Sequence, residues 1–139
     1  MQMSARVTTQ PGQHTVQLAT DANQKHLTIP PKPSGLGSSA NGAELLMLAL
    51  ATCYSNDILR EAARRGIQVT RVEVQATGDF FSDGEPIRNI RYRAAVHGNA
   101  PDSQLLALMH HTDTVAEIQN TLRSASTITL EHCVVNKEL

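Results

Sequence analysis

Aromatic residues are scarce in this sequence. Tyr54, Phe80, Phe81 and Tyr92 are the whole set among 139 residues, and tryptophan is absent. The core must therefore be aliphatic, built from Leu, Ile, Val and Ala. That is thin material for one small chain, and an oligomer would bury more of it. Cysteine is scarce as well. Cys53 and Cys133 alone do not make a disulfide framework. Charge of either sign is balanced to a net −1, with 18% of residues charged. No global field then points to nucleic acid or a membrane surface as partner. No apolar run reaches the roughly 18 residues of a membrane span. The opening "MQMSARVTTQ" lacks the apolar core of a signal peptide. The expectation is a cytoplasmic protein with reduced thiols, and the length suits one domain over residues 1–139.

What the chain does contain is a strong order of elements. Residues 4–30 read as strands broken by turns. "QPGQ" and "DANQ" turn the chain, while Val16 and Leu18, then Leu27 and Ile29, alternate. "PPKPSGLGSSANG" is a loop. A long helix then runs from Asn41 to Arg64–Arg65–Gly66. Asn41 and Glu44 supply a capping-box-like start, and basic residues followed by glycine supply the stop. Its first half, "LLMLALA", is apolar all round and must be surrounded. Its second half is amphipathic, with Ile58, Leu59, Ala62 and Ala63 inside and Arg60, Glu61 and Arg64 outside.

Residues 67–98 read as a hairpin turned at "SDGEP". Val72, Val74 and Ala76 alternate on one strand; Ile90, Tyr92, Ala94 and Val96 alternate on the other. Arg91, Arg93 and His97 fall on the solvated face. Two short helices follow, "APDSQLLALMHHT" and "TVAEIQNTL", the second opened by Thr114 and Glu117 as a capping box. "STITLEHCVV" reads as a final strand. The class is α+β with largely antiparallel sheet.

Chemistry centres on Cys53, midway along the long helix. A buried cysteine often serves as a small hydrophobe. A nucleophilic or redox thiol at mid-helix lacks the dipole that depresses thiol pKa, so donors must come from elsewhere. Cys133 lies on the last strand with Thr129 and Glu131, opposite Ile128 and Leu130, and reads as structural. His110 and His111 diverge by about 100° on a helix. With His132 they make no metal-ligand spacing, so neither metal nor cofactor is expected. Glu44 can serve as an acid or base, although capping already explains it.

The segment "AELLMLALATCYSNDILREAARRGIQV" resembles the central helix of the OsmC/Ohr family, closer to its Glu-Leu-Leu branch than to classical organic hydroperoxide resistance proteins. "SGLGSSANG" is similar to its Gly-rich entry loop, and "NTLRSASTITLE" to its closing segment. The resemblance spans roughly residues 10–135. It implies an α+β intertwined homodimer, with antiparallel sheets from both chains wrapped around two long central helices. It implies a thiol peroxidase in which Cys53 attacks an organic hydroperoxide and becomes a sulfenic acid. Glu44 then stands near the family's catalytic glutamate, and Tyr54 lines the substrate pocket.

The match is incomplete. The peroxidases' glutamate position is Ala43, their second cysteine falls at Ala116, and their arginine aligns near Gln10. An external thiol would have to reduce Cys53. The alternative is a non-catalytic OsmC-like dimer that binds a small apolar or thiol-reactive ligand, and a third reading has Cys53 react with electrophiles other than peroxide.

Overall fold

The computed structural model describes residues 1–131, 133–136 and 138. The chain divides into two compact units, one over residues 1–47 and one from Leu48 onward.

In the first unit, strands β1 (Met3–Gln10), β2 (Gln13–Thr20) and β3 (Asn23–His26) form an antiparallel sheet in that order. Gln10 pairs with Gln13 across a two-residue turn, Pro11-Gly12. Gly12 takes φ +70, the left-handed geometry that follows a proline in a type II turn. The expected alternation through Leu27 and Ile29 is not a strand. The last bond to the sheet is the Leu27 N–H to the Val16 carbonyl at 3.3 Å. Pro30, Pro31 and Pro33 follow, and proline has no N–H to continue a ladder. Ile29 is buried nonetheless.

Helix α1 (Gly42–Arg64) opens with the expected reciprocal cap. The Glu44 N–H donates to Asn41 Oδ1 and the Asn41 N–H to Glu44 Oε2, both at 2.9 Å. Its end is equally regular. The Ile67 N–H reaches the Ala62 carbonyl at 3.0 Å and the Gly66 N–H reaches Ala63 at 3.2 Å. This is the Schellman arrangement, and Gly66 supplies the positive φ it needs, +66.

The second unit holds most of α1, the antiparallel hairpin β4 (Val69–Asp79) and β5 (Arg88–Gly98), and helices α2 (Asp102–Val115) and α3 (Glu117–Arg123). Its core gathers Tyr54, Ile58, Ala62, Leu108 and Ala116, with Val72, Val74, Ala94 and Val96 of the hairpin packed against them. The hairpin's inward alternation is as expected from the sequence at Val72, Val74, Tyr92, Ala94 and Val96, but Ile90 is exposed.

Three further expectations fail. Leu59 and Ala63 are exposed, whereas Asp57 and Glu61 are buried. The buried stripe of α1 runs Leu50, Tyr54, Asp57–Ile58, Glu61–Ala62. The carboxylates are tolerated there because each pairs with at least one arginine, as described below. Second, α3 has no side-chain cap: Ala116 holds the N-cap position, and Thr114 lies inside α2 with its hydroxyl donating to the His111 carbonyl. Glu117 is turned to other partners. Third, residues 126–131 and 133–136 form no strand. Ile128 and Leu130 stand in solvent, so the alternation finds no strand edge to pair with. His132 lies outside the described residues. Among the described residues, no helix is long and apolar enough to cross a membrane.

Candidate functional site

Cys53 is half-buried on α1, and its sulfur faces two carboxylates. Asp57 follows four residues later on the same helix face, and the thiol donates to Asp57 Oδ2 at 3.4 Å. Glu117, at the start of α3, places Oε2 at 3.8 Å from the sulfur. Asp57 is 4% exposed, so its charge sits in a poorly screened place. Arg60 explains how two acids tolerate each other there. Its Nη1 lies 2.7 Å from Asp57 Oδ1 and 3.3 Å from Glu117 Oε1. Each carboxylate thus spends one oxygen on the guanidinium and turns the other towards sulfur.

The same arginine reaches further. Arg60 Nε contacts Glu61 at 3.1 Å, and Glu61 also takes Arg64 at 2.7 Å and His111 Nε2 at 3.2 Å. These partners are why Glu61 can be buried in α1.

The electrostatics of the thiol follow. Burial is the largest influence and pushes the Cys53 pKa up; the Ile118 backbone N–H pulls it down; the charge and hydrogen bond of Asp57 and the charge of Glu117 push it up again. The net direction is upward, so the resting sulfur is a thiol. Asp57 is also raised, chiefly by burial. Glu117 is lowered, first by its own backbone N–H. The two acids therefore part in opposite directions, and a proton entering the pair goes to Asp57 first.

The sulfur and carboxylate oxygens of Cys53, Asp57 and Glu117 lie within 4.8 Å of one another, a spacing a cation can span. Arg60 already supplies positive charge to both carboxylates.

The other sequence-predicted residues lie elsewhere. The Glu44 carboxylate closes the cap at the start of α1 and is exposed. Tyr54 is buried in the core. Its hydroxyl donates to the Met109 carbonyl at 2.8 Å, its ring lies 4.9 Å from that of Tyr92, and burial pushes its pKa up to about 12. It lines a cavity of about 290 Å³ with Tyr92, Leu106, Met109 and His110. Cys133 is exposed and free. Ala116, where the resemblance puts a second cysteine, is fully buried, yet its neighbour Glu117 reaches Cys53.

The sequence reading missed Asp57, Arg60 and Glu117 as site residues. The i to i+4 spacing of Cys53 and Asp57 was available as a signal. Nothing in the sequence brings Glu117 to α1.

Beside this site, the Gln119 amide donates to the Leu50 carbonyl at 3.1 Å, one helical turn before Cys53. Its Oε1 is buried and finds no donor among the described residues. Gln119 lines a cavity of about 220 Å³ with Leu50, Ile90, Tyr92, Leu122 and Arg123.

Solved structures of similar fold share these elements. An OsmC-like protein of unknown function from Vibrio cholerae O1 biovar eltor is 19% identical, covering 87% of this chain and 93% of that one, with a TM-score of 0.61. An OsmC-like hydroperoxide resistance protein from Jannaschia sp. is 17% identical over 97% and 93%, at 0.56. A putative organic hydroperoxide resistance protein from Vibrio cholerae, with captopril in one of its active sites, is 24% identical over 88% and 85%, also at 0.56. No curated protein matches the chain. The family model for OsmC-like proteins matches residues 35–131, which take in α1, its cysteine, the hairpin and both shorter helices, and the chain therefore belongs to the OsmC-like family.

Proposed function

We propose that the protein is a thiol-dependent organic hydroperoxide reductase that uses Cys53. The observation that carries this reading is the placement of the Cys53 sulfur in a built polar site, between the carboxylates of Asp57 and Glu117 that Arg60 holds. A cysteine that merely fills space has no need of it. The sulfur attacks the distal oxygen of the hydroperoxide. The O–O bond breaks, an S–OH forms, and the alcohol leaves. Sulfur is oxidised and the peroxide reduced. With Ala116 beside Glu117, an external thiol attacks the sulfenic acid, releasing water. A second thiol then frees Cys53 by disulfide exchange. Neighbours of similar fold that are named for hydroperoxide resistance lend this support. The proposal extends to a cytoplasmic homodimer, since α1 leaves Leu48 and Leu59 about half exposed within one chain.

A second reading is a non-catalytic dimer that binds a small ligand. The unpartnered Gln119 Oε1 beside an apolar cavity favours it: an apolar molecule with one hydrogen-bond donor would fit. Sulfenic-acid trapping separates the two. The hydroperoxide reductase predicts that Cys53 oxidises and that Cys53→Ser abolishes peroxide consumption. Oxidation no faster than at Cys133 removes the hydroperoxide reductase and favours the binding reading.

A further inference from the structure

We propose that Asp57 is the base that takes the proton from Cys53, with Arg60 holding its carboxylate in place to do so. The inference rests on the reading of Cys53 as a nucleophile and names the group that makes it one. The problem it answers is physical. Among the described residues of one chain no cation meets the sulfur: the charged groups that do are both acids. Stabilising a standing thiolate is therefore the wrong task for this site. Removing the proton at the moment of attack is a different task, and it needs a carboxylate within hydrogen-bond reach.

The geometry meets that need. Asp57 Oδ2 already accepts the S–H at 3.4 Å. Its other oxygen is fixed by Arg60 at 2.7 Å, which sets the rotamer and leaves Oδ2 on the sulfur side. Burial raises the Asp57 proton affinity above that of an ordinary carboxylate, and a stronger base is a better acceptor for a thiol proton. Glu117 is more acidic and largely in solvent, so it is the weaker candidate. The charged or titratable groups facing Asp57 are Cys53 and Arg60 on α1 and Glu117 on α3. Behind Arg60 stand Glu61 and His111 of α2.

The step balances. The S–H bond breaks and its proton goes to Asp57 Oδ2. The sulfur electron pair forms the S–O bond to the distal peroxide oxygen, which keeps its own hydrogen, while the O–O bond breaks. The departing alkoxide takes the proton back from Asp57 and leaves as an alcohol, so the carboxylate is regenerated.

The test exploits a difference in sign. If Asp57 is only a negative neighbour, Asp57→Asn removes a charge that suppresses the thiolate, and Cys53 reacts faster. If Asp57 is the base, the same variant reacts more slowly. Iodoacetamide is the first probe, because it reads deprotonation of Cys53 even if the protein consumes no hydroperoxide. Cumene hydroperoxide is the second and reads the proposed activity itself. At pH 6.5 the expected result with iodoacetamide is a loss of about 100-fold in Asp57→Asn. Equal or faster labelling of the variant overturns the proposal. Wild-type protein supplies a measurement that needs no variant. With an internal base, the rate follows ionisation of the carboxylate and levels off well below the thiol's own pKa; without one, it climbs about tenfold per pH unit all the way to that pKa with the thiolate. A wild-type profile that climbs in this way overturns the proposal even if Asp57→Asn fails to fold.

Discussion

Asp57 and Glu61 show why a charged residue on a helix cannot be placed by its charge alone. Glu61 reads from the sequence as a solvated residue beside Arg60 and Arg64, yet it is 4% exposed. What buries it is the set of partners around it, two arginines from its own helix and the His111 ring from another. The sequence spacing contains the two arginines but not the histidine. Asp57 is a related case, with one arginine, Arg60, and the Cys53 thiol as its partners. A pH dependence follows. Glu61, Glu117 and Asp113 all have lowered pKa values: Glu61 chiefly from its bond to Arg60, Glu117 from its own N–H, and Asp113, against burial, from Tyr92 and Arg123. A carboxylate with a depressed folded pKa contributes stability that is present above its unfolded value, near 4, and is lost as pH falls through the folded value. Asp57 has the opposite sign, since its folded form favours the proton. Three groups outnumber one, so the thermal midpoint should fall as pH drops from 5 to 3. Asp113 accepts Arg123 at 2.6 Å, and Asp113→Asn should lower the midpoint at pH 6 and flatten that acid fall. Melts followed by circular dichroism across the range check both; an unchanged slope in the variant would refute the assignment to Asp113.

Elements were legible where their ends carry local chemistry. The two ends of α1 are each fixed within a few residues, by the Asn41–Glu44 cap and by Gly66, and local bonds of that kind can be read from a sequence. The hairpin was legible because Val72, Val74, Ala94 and Val96 share one face and the core needs them. The start of α3 was not. Thr114 and Glu117 have the spacing of a capping box, but a longer α2 absorbs Thr114 and the Cys53 site recruits Glu117. The final strand was not legible either, because alternation specifies a face but not the edge that will pair with it. At this scale Leu108 is the informative residue. It is fully buried where α2 meets α1 and the hairpin. Leu108→Ala should cost about 2–5 kcal/mol in chemical denaturation, with little change in m-value. A cost below about 1 kcal/mol would mean that α2 does not complete this core.

At the scale of the whole molecule, the chain leaves apolar side chains without cover. Ile128 is 96% exposed and Leu130 83%, in the segment whose alternation promised a strand. Leu48 and Leu59 are exposed on α1 as well. An aliphatic chain with four aromatics has little core to spare, so such exposure is costly unless a second copy covers it. Light scattering at micromolar concentration should give twice the chain mass, and a monomer would remove the reason offered for these exposed residues.

The central claim is narrower than the dimer: Cys53 is reactive because of where its sulfur sits. The direct measurement compares both cysteines within one molecule. Fully reduced protein is mixed with cumene hydroperoxide, quenched at intervals with a sulfenic-acid trap, and analysed peptide by peptide by mass spectrometry. The account predicts that buried-side Cys53 outpaces exposed Cys133 by about 100-fold or more, against the order that exposure alone would give. Oxidation of Cys133 at an equal or greater rate would contradict it.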